Sequence, residues 1–295
     1  MDRFDVVIVG AGPAGLSAAL FLGRCCRSVL LCDAGKPRNA RSQRINGFIT
    51  RDGVDPREFR RIGRQELERY PSIAIRDMAA IHAQRSDEGF EVTLADQSRV
   101  TARMLLLATG IVDELPPIEG LESIWGKSAF PCPYCDAFEV RGQRFAVYGQ
   151  GGKAAALCRA LTAWTDDIVL FTDGHALTEE LPRITVIDER IRAIEGRDGM
   201  LERIALADGR AIARDVLFLS SPQHQRSPLA EALGVEIEHG IAKTGTRETT
   251  NVPGLFVAGD ASDNVQFAIV AAAEGAEAAF EINRSLVREK FGTLR

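Results

Sequence analysis

Two cysteines separated by two residues, in Cys132-Pro133-Tyr134-Cys135, carry the strongest chemical signal in this sequence. That spacing allows an accessible disulfide that exchanges with external thiols, one thiol of the pair often having a lowered pKa. Structural zinc is the competing use, and it needs four ligands. Cys25, Cys26, Cys32 and Cys158 make no second pair of this spacing, and His82, His175, His224 and His239 are scattered. No metal is expected. The remaining cysteines stand in apolar helix or strand contexts and are expected to be buried packing residues. Asp136 follows Cys135 directly, where an acid could move protons or simply cap a short helix.

Glycine turns are the second signal. In Gly10-Ala11-Gly12-Pro13-Ala14-Gly15 the first glycine permits a tight turn, the second lets backbone approach a pyrophosphate, and the third allows close helix–strand packing. The helix starting near Pro13 offers unpaired N–H groups to phosphates, and Asp33 closes the next strand where a carboxylate can accept ribose hydroxyls. A second turn, Gly149-Gln150-Gly151-Gly152-Lys153-Ala154, places Gly149, Gly151 and Ala154 at the same spacing. Further along, Gly259-Asp260 ends a strand ahead of another helix. There Asp260 could bind a hydroxyl of a flavin's ribityl chain, or Asp260 or Asp263 could merely cap the helix.

These motifs need elements to hold them. Asp5–Val9, a helix to about Arg24 and Ser28–Cys32 make one β-α-β unit. Arg144–Tyr148, a helix to about Ala163 and Ile168–Phe171 make another. Helix-like 56–69 and strands at Phe90–Ala95 and Met104–Ala108 lie between, and a helix is expected from about Val265 through Ala279. Leu115-Pro116-Pro117 reads as a crossover, and a second crossover is expected near Lys243–Asn251. The fold class is therefore α/β, with two Rossmann-like doubly wound dinucleotide-binding domains, the second inserted into the first. The first comprises residues 1–112 and 245–295, and the second 113–244.

Composition narrows the function. The 295 residues carry 36 basic and 41 acidic side chains, net −5, with pI near 5.6, which argues against a nucleic-acid partner. Apolar runs such as Met104–Ala108 and Ala268–Ala273 fall far short of the roughly 20 residues a bilayer requires. No signal peptide is read ahead of the first strand, and six cysteines are too sparse for a disulfide scaffold. A reduced, cytoplasmic protein is expected.

Gly10–Gly15, Ala108-Thr109-Gly110, Cys132-Pro133-Tyr134-Cys135-Asp136 and Val252–Asp260 stand in an order that resembles the low-molecular-weight thioredoxin reductases over nearly the whole chain. The resemblance implies a homodimer, FAD on the first domain and the cysteine pair on the inserted one. It gives Cys135 the place against the flavin as charge-transfer thiolate, Cys132 the exchange with substrate, and Asp136 the acid–base step. It also sets Gln266-Phe267-Ala268 at the flavin-binding helix, where that family has Arg-Gln-Ala. A main-chain contact to the ring would persist, but the arginine is missing.

Other departures concern the electron donor. Family members that use NADPH carry a His-Arg-Arg cluster after the second strand of the inserted domain, with another arginine beyond. Here 171–178 contains neither Arg nor Lys, and Asp173 would repel a 2′-phosphate. NADPH is disfavoured; NADH stays possible, because Asp173 could bind a free ribose hydroxyl. The family glycine after the last strand is replaced within 219–224, and its acidic helix positions by Ala155-Ala156-Leu157, so the second turn could serve only to pack its helix. Relatives without the arginines oxidise dithiol metabolites at the expense of O2, or take electrons from a ferredoxin-like donor. The expected partners are thus a thioredoxin-like protein or a small dithiol or disulfide, with ferredoxin or O2 as a further electron partner. The alternatives are an NAD(P)H-dependent thioredoxin reductase, a non-enzymatic redox-sensing flavoprotein, and a flavin monooxygenase or ferredoxin–NADP reductase relative. His224 reads as a surface histidine, the arginines of 38–69 as a solvated face, and the loop 39–48 as a cover over part of the flavin.

Overall fold

The computed structural model describes residues 2–262 and 265–292. It divides into two compact units, one of Met1–Ala40, Gly47–Val112 and Gln223–Arg295, the other of Arg41–Asn46 and Asp113–Pro222.

The first unit is built on a seven-stranded sheet. Its parallel part runs Ile73–Arg76, Val29–Cys32, Asp2–Val9, Arg99–Leu107. Arg99–Leu107 serves two partners beyond Asp2–Val9. Its final residues 105–107 pair with Leu255–Val257 in parallel, and its opening residues 99–102 pair with Gly89–Leu94 in antiparallel. Ala80–Ser86 then forms the antiparallel edge. Both faces of Asp2–Val9 are covered: Val6 and Ile8 belong to one apolar cluster, Val7 and Val9 to another. A continuous apolar run is what a parallel strand buried on both faces requires.

One face is closed by helices Pro13–Arg24 and Ala268–Phe291. They approach so closely that a Cβ on Gly275 would stand 2.0 Å from the Ala14 carbonyl oxygen. The final helix begins at Ala268 and continues to Phe291, twelve residues beyond the end expected from the sequence (291 against 279).

The return to the first unit also differs from expectation, falling at Gln223 rather than 245. The reason is packing. Leu229, Ala230, Val235 and Ala242 are buried in the same cluster as Val7, Leu30 and Phe90, and the Gln225 side-chain amide donates to the carbonyls of Gly240 and Ala261 at 3.1 and 2.7 Å.

The second unit has a five-stranded parallel sheet in the order Thr185–Ile187, Ile168–Phe171, Phe145–Tyr148, Val216–Leu219, Ala129–Phe130. Helix Gly151–Leu161 lies against it through Ala154, Ala155, Cys158 and Leu161. An antiparallel layer of Ile191–Arg197, Met200–Leu206 and Ala211–Ala213, absent from the sequence reading, covers the other face. Among the described residues no helix is long and apolar enough to cross a membrane.

Candidate functional site

In the first unit the glycine turn sits between the C-terminal end of Asp2–Val9 and the helix Pro13–Arg24, the edge where doubly wound sheets bind ligands. Gly10 has φ +108°, its N–H donates to the Cys32 carbonyl at 2.8 Å, and a Cβ there would stand 2.2 Å from the Ala108 oxygen. A Cβ on Gly15 would meet the Gly10 oxygen at 1.8 Å, while one on Gly12 would meet nothing within 4 Å. Two glycines are thus demanded by packing and the middle one leaves open space at a helix start. That helix has no side-chain cap and no acidic residue in its first turn. The fit to a pyrophosphate is good on both counts.

The other residues expected at the cofactor gather at the same edge. Ala108-Thr109-Gly110 follow the end of Arg99–Leu107, and Gly110 takes φ +65°. Gly259 and Asp260 follow Leu255–Val257. A Cβ on Gly259 would come within 3.1 Å of the Ala14 Cβ. Helix Ala268–Phe291 is preceded by Phe267 in the cap position, so Asp260 is not its N-cap; Asp263 lies outside the described residues.

Three arginines alter the expected picture. Asp33 is buried, its Oδ1 accepting from the Gly35 N–H at 3.0 Å and its Oδ2 from Arg60 and Arg64 at 2.5 and 3.1 Å. Both arginines come from helix Pro56–Leu67, capped by Asp55, so this helix does not merely present a solvated basic face. Arg38 Nη1 donates to Asp260 Oδ2 at 3.0 Å and to Gln266 Oε1 at 2.7 Å. A cation from a distant loop thus reaches Gln266, the residue that stands where the resembled family has its arginine. Glu274, also unremarked in the sequence, accepts from the Gly259 N–H at 2.6 Å. Of the loop 39–48, residues 41–46 belong to the second unit.

In the second unit Cys132 and Cys135 are joined in a disulfide with Cα atoms 5.4 Å apart. Pro133–Asp136 forms a single helical turn, and the Cys135 N–H donates to Cys132 Sγ at 3.2 Å. Asp136 ends that turn. Burial, with help from the Glu139 carboxylate, raises its pKa to about 7, which suits a proton carrier at neutral pH. Tyr134 is exposed and stacks edge-on with Trp164, centroids 5.9 Å apart.

The remaining cysteines divide. Cys32 and Cys158 are buried, and burial pushes each thiol up to about 12. Cys25 and Cys26 are exposed at the C-terminal end of Pro13–Arg24, contrary to the expectation that all four are core residues; the helix stops there, with Cys26 in a positive-φ conformation.

The second glycine turn copies the geometry of the first in part. The Gly149 N–H donates to the Phe171 carbonyl at 3.2 Å, and Gly151 has φ +60° with open space beside it. Ala154 is fully buried. Asp173, with φ +53°, is already engaged: Oδ1 accepts from the Ile191 N–H at 2.8 Å and Oδ2 from the Tyr148 hydroxyl at 3.3 Å. Burial and this carboxylate push the Tyr148 phenol up to about 12. Glu179, paired with Arg159, brings Oε1 to 3.5 Å from where a Gly152 Cβ would be. An ion-paired carboxylate therefore stands beside the second residue of that helix. One cation does come near, since a Cβ on Gly174 would stand 3.4 Å from Arg190 Nε. His224 is exposed, on Gln223–Gln225.

The comparisons with known proteins agree with this architecture. The model of the pyridine nucleotide-disulphide oxidoreductase family matches residues 4–275. Thioredoxin reductase tcpT of Claviceps purpurea is 32% identical over 275 residues, 87% of this chain and 86% of that protein. A probable thioredoxin reductase of Arthroderma benhamiae is 30% identical over 302 residues, covering 89% and 75%. The crystal structure of a putative thioredoxin reductase TrxB from Bacillus anthracis superposes with a TM-score of 0.93 at 33% identity, covering 98% of this chain and all of that one. Membership implies FAD and a nicotinamide nucleotide as the family's cofactors. This chain belongs to the pyridine nucleotide-disulphide oxidoreductase family, and it is a thioredoxin-reductase-like, flavin-dependent oxidoreductase acting on sulfur groups.

Proposed function

We propose that the chain exchanges electrons between FAD, the Cys132–Cys135 pair and an external dithiol or disulfide, without NADPH as the driving donor. Gly10, Gly12, Pro13, Ala14, Gly15 and Ala108-Thr109-Gly110 would hold the dinucleotide, with Asp33, Gly259-Asp260 and Gln266-Phe267-Ala268 around its ribose and flavin ends. When bound, FAD would take up or return the electron pair of the cysteine couple. In the oxidising direction a substrate thiolate attacks Cys132, and the Cys132–Cys135 bond breaks with Cys135 leaving as thiolate. The second substrate thiol then displaces Cys132, so that one substrate disulfide forms as one protein disulfide is reduced. Asp136 accepts a substrate thiol proton in this direction and gives one back in the other. The substrate is a thioredoxin-like protein or a small dithiol, with O2 or a ferredoxin-like protein as a further electron partner, and the working unit is a homodimer in the cytoplasm.

The observation that carries NADPH independence is Asp173. It stands where a 2′-phosphate reader would be and is tied to Ile191 and Tyr148. Each lost charge-assisted hydrogen bond forfeits about 1.5–3 kcal/mol. A second reading, NADH-driven reduction of a disulfide, is favoured by one feature. The hydroxyls of Thr172 and Ser221, beyond the C-terminal ends of Ile168–Phe171 and Val216–Leu219, are buried without a partner, as in a crevice that takes a polar ligand.

Anaerobic mixing of oxidised enzyme with NADPH, NADH and a dithiol in turn, followed by flavin absorbance, tests the proposal. Bleaching by dithiol and not by NADPH supports it. Rapid bleaching by NADPH refutes it, and bleaching by NADH alone selects the second reading.

A further inference from the structure

We infer that Asn46 is a positioning residue for the cysteine pair, delivered to it by a short strap, residues 41–46. The inference rests on the reading above that Cys132–Cys135 is redox-active. The strap lies between two segments of the first unit yet belongs to the second. Three of its residues are anchored. Arg41 Nη1 donates to the Glu122 carbonyl at 2.7 Å, and its backbone is so close to Gly126 that a Cβ there would meet the Arg41 oxygen at 2.8 Å. Ile45 is buried. Asn46 Nδ2 donates to the Cys135 carbonyl at 2.7 Å.

That last bond holds the peptide joining Cys135 to Asp136. The turn it belongs to, Pro133–Asp136, is four residues long, and an isolated turn of that length does not hold itself in water. In the oxidised protein the disulfide closes the turn covalently. Two electrons and two protons convert it to two thiols, and the covalent closure is gone. Asn46 still grips the Cys135 carbonyl, so the Cys135 N–H keeps its aim at Cys132 Sγ. The bond therefore stabilises the reduced turn more than the oxidised one and makes the pair easier to reduce. Sequence spacing does not expose this role, because Asn46 lies in a polar loop far from the motif.

The test uses the full-length holoenzyme as Asn46→Ala, as Asn46→Asp, which keeps the size and removes the donor, and as Arg41→Ala, which cuts the strap's other anchor without touching a cysteine. Each protein is equilibrated anaerobically with mixtures of reduced and oxidised dithiothreitol, quenched in acid, alkylated, and its Cys132 and Cys135 thiols counted by peptide mass. Both Asn46 variants should show an equilibrium constant for reduction about fivefold lower than the parent, about 20 mV for a two-electron couple. Arg41→Ala should remain within about twofold of the parent. Values within about twofold in both Asn46 variants overturn the inference. So does an equal shift in Arg41→Ala, since attachment of the strap alone would then be the cause. The thiol count does not depend on the flavin. A pair that reduces normally while flavin absorbance never follows would sink the proposed function and leave the role of Asn46 standing.

Discussion

Arg38 and Asp260 form an ion pair at 3.0 Å, with both side chains about four-fifths withdrawn from solvent. The same guanidinium nitrogen reaches Gln266 at 2.7 Å, so a single arginine neutralises the carboxylate and fixes the amide beside the start of helix Ala268–Phe291. Arg38→Ala removes the cation paired with Asp260 where FAD is proposed to bind, and the dissociation constant for FAD should rise at least about tenfold, or roughly 1.4 kcal/mol. Arg38→Lys, which keeps the charge and loses the fork, should fall between. Titration of deflavinated protein with FAD reads both.

The pH dependence should invert with the direction in which the reaction is assayed. The Asp136 carboxyl is raised to about 7 by burial and then by Glu139. A dithiol oxidase needs the carboxylate as base, so its kcat/KM should rise with pH through about 7. A disulfide reductase needs the acid, and its kcat/KM should fall through the same point. Asp136→Asn should flatten that limb and lower kcat/KM by about 10²–10⁴. Steady-state profiles in both directions check it, and limbs of the same sign would refute the role of Asp136.

Stability follows from the same group with a definite sign. The folded pKa is above the ordinary value of 3.8, so the folded state binds more protons between those limits. The contribution of Asp136 is therefore present at acid pH and lost as pH rises towards about 7. Tm of the Asp136→Asn variant should gain on that of the parent as pH increases across this window. Equal slopes of Tm against pH would refute the burial argument.

Nucleotide choice should turn on Asp173 and Arg190. Any nicotinamide binding should favour NADH over NADPH at least about tenfold, the cost of one unmet charge-assisted bond. Arg190→Ala should weaken residual NADPH binding and leave NADH unchanged. Fluorescence titration of each nucleotide reads the two affinities, and equal affinities in the parent would refute the role given to Asp173.

Alkylation should separate the cysteines by burial. In the oxidised native protein, iodoacetamide at neutral pH should label Cys25 and Cys26 and spare Cys32 and Cys158, whose thiols are pushed up to about 12. Peptide mass mapping after brief exposure checks it.

The glycine turns, the CxxC motif and the strands feeding them were legible because each is a local pattern with a local physical cause. Gly10 and Gly15 are required by backbone atoms within a few ångströms. The return at Gln223 was hidden because Gln223–Gln225 and Leu229–Ala232 are too short to show a period, and only packing against Leu30 and Phe90 assigns them. Arg38, Asn46 and Glu274 escaped for another reason. Each acts on a partner remote in sequence, and no spacing rule links an arginine in a polar loop to an aspartate at the end of a late strand. The exposure of Cys25 and Cys26 is not legible, because an apolar neighbourhood in sequence says little about which side of a helix end meets solvent.

The close seat of Gly275 against Ala14 has a consequence for biosynthesis. Helix Pro13–Arg24 meets helix Ala268–Phe291 only late in synthesis, and Leu255–Val257 fills its place in the sheet almost as late. At a synthesis rate of about 5–20 residues per second, the first strands wait roughly 12–50 seconds with an apolar face only partly covered. The inserted unit is complete by Pro222 and can close first, on the ribosome, as a folded body held between the unfinished halves of its host.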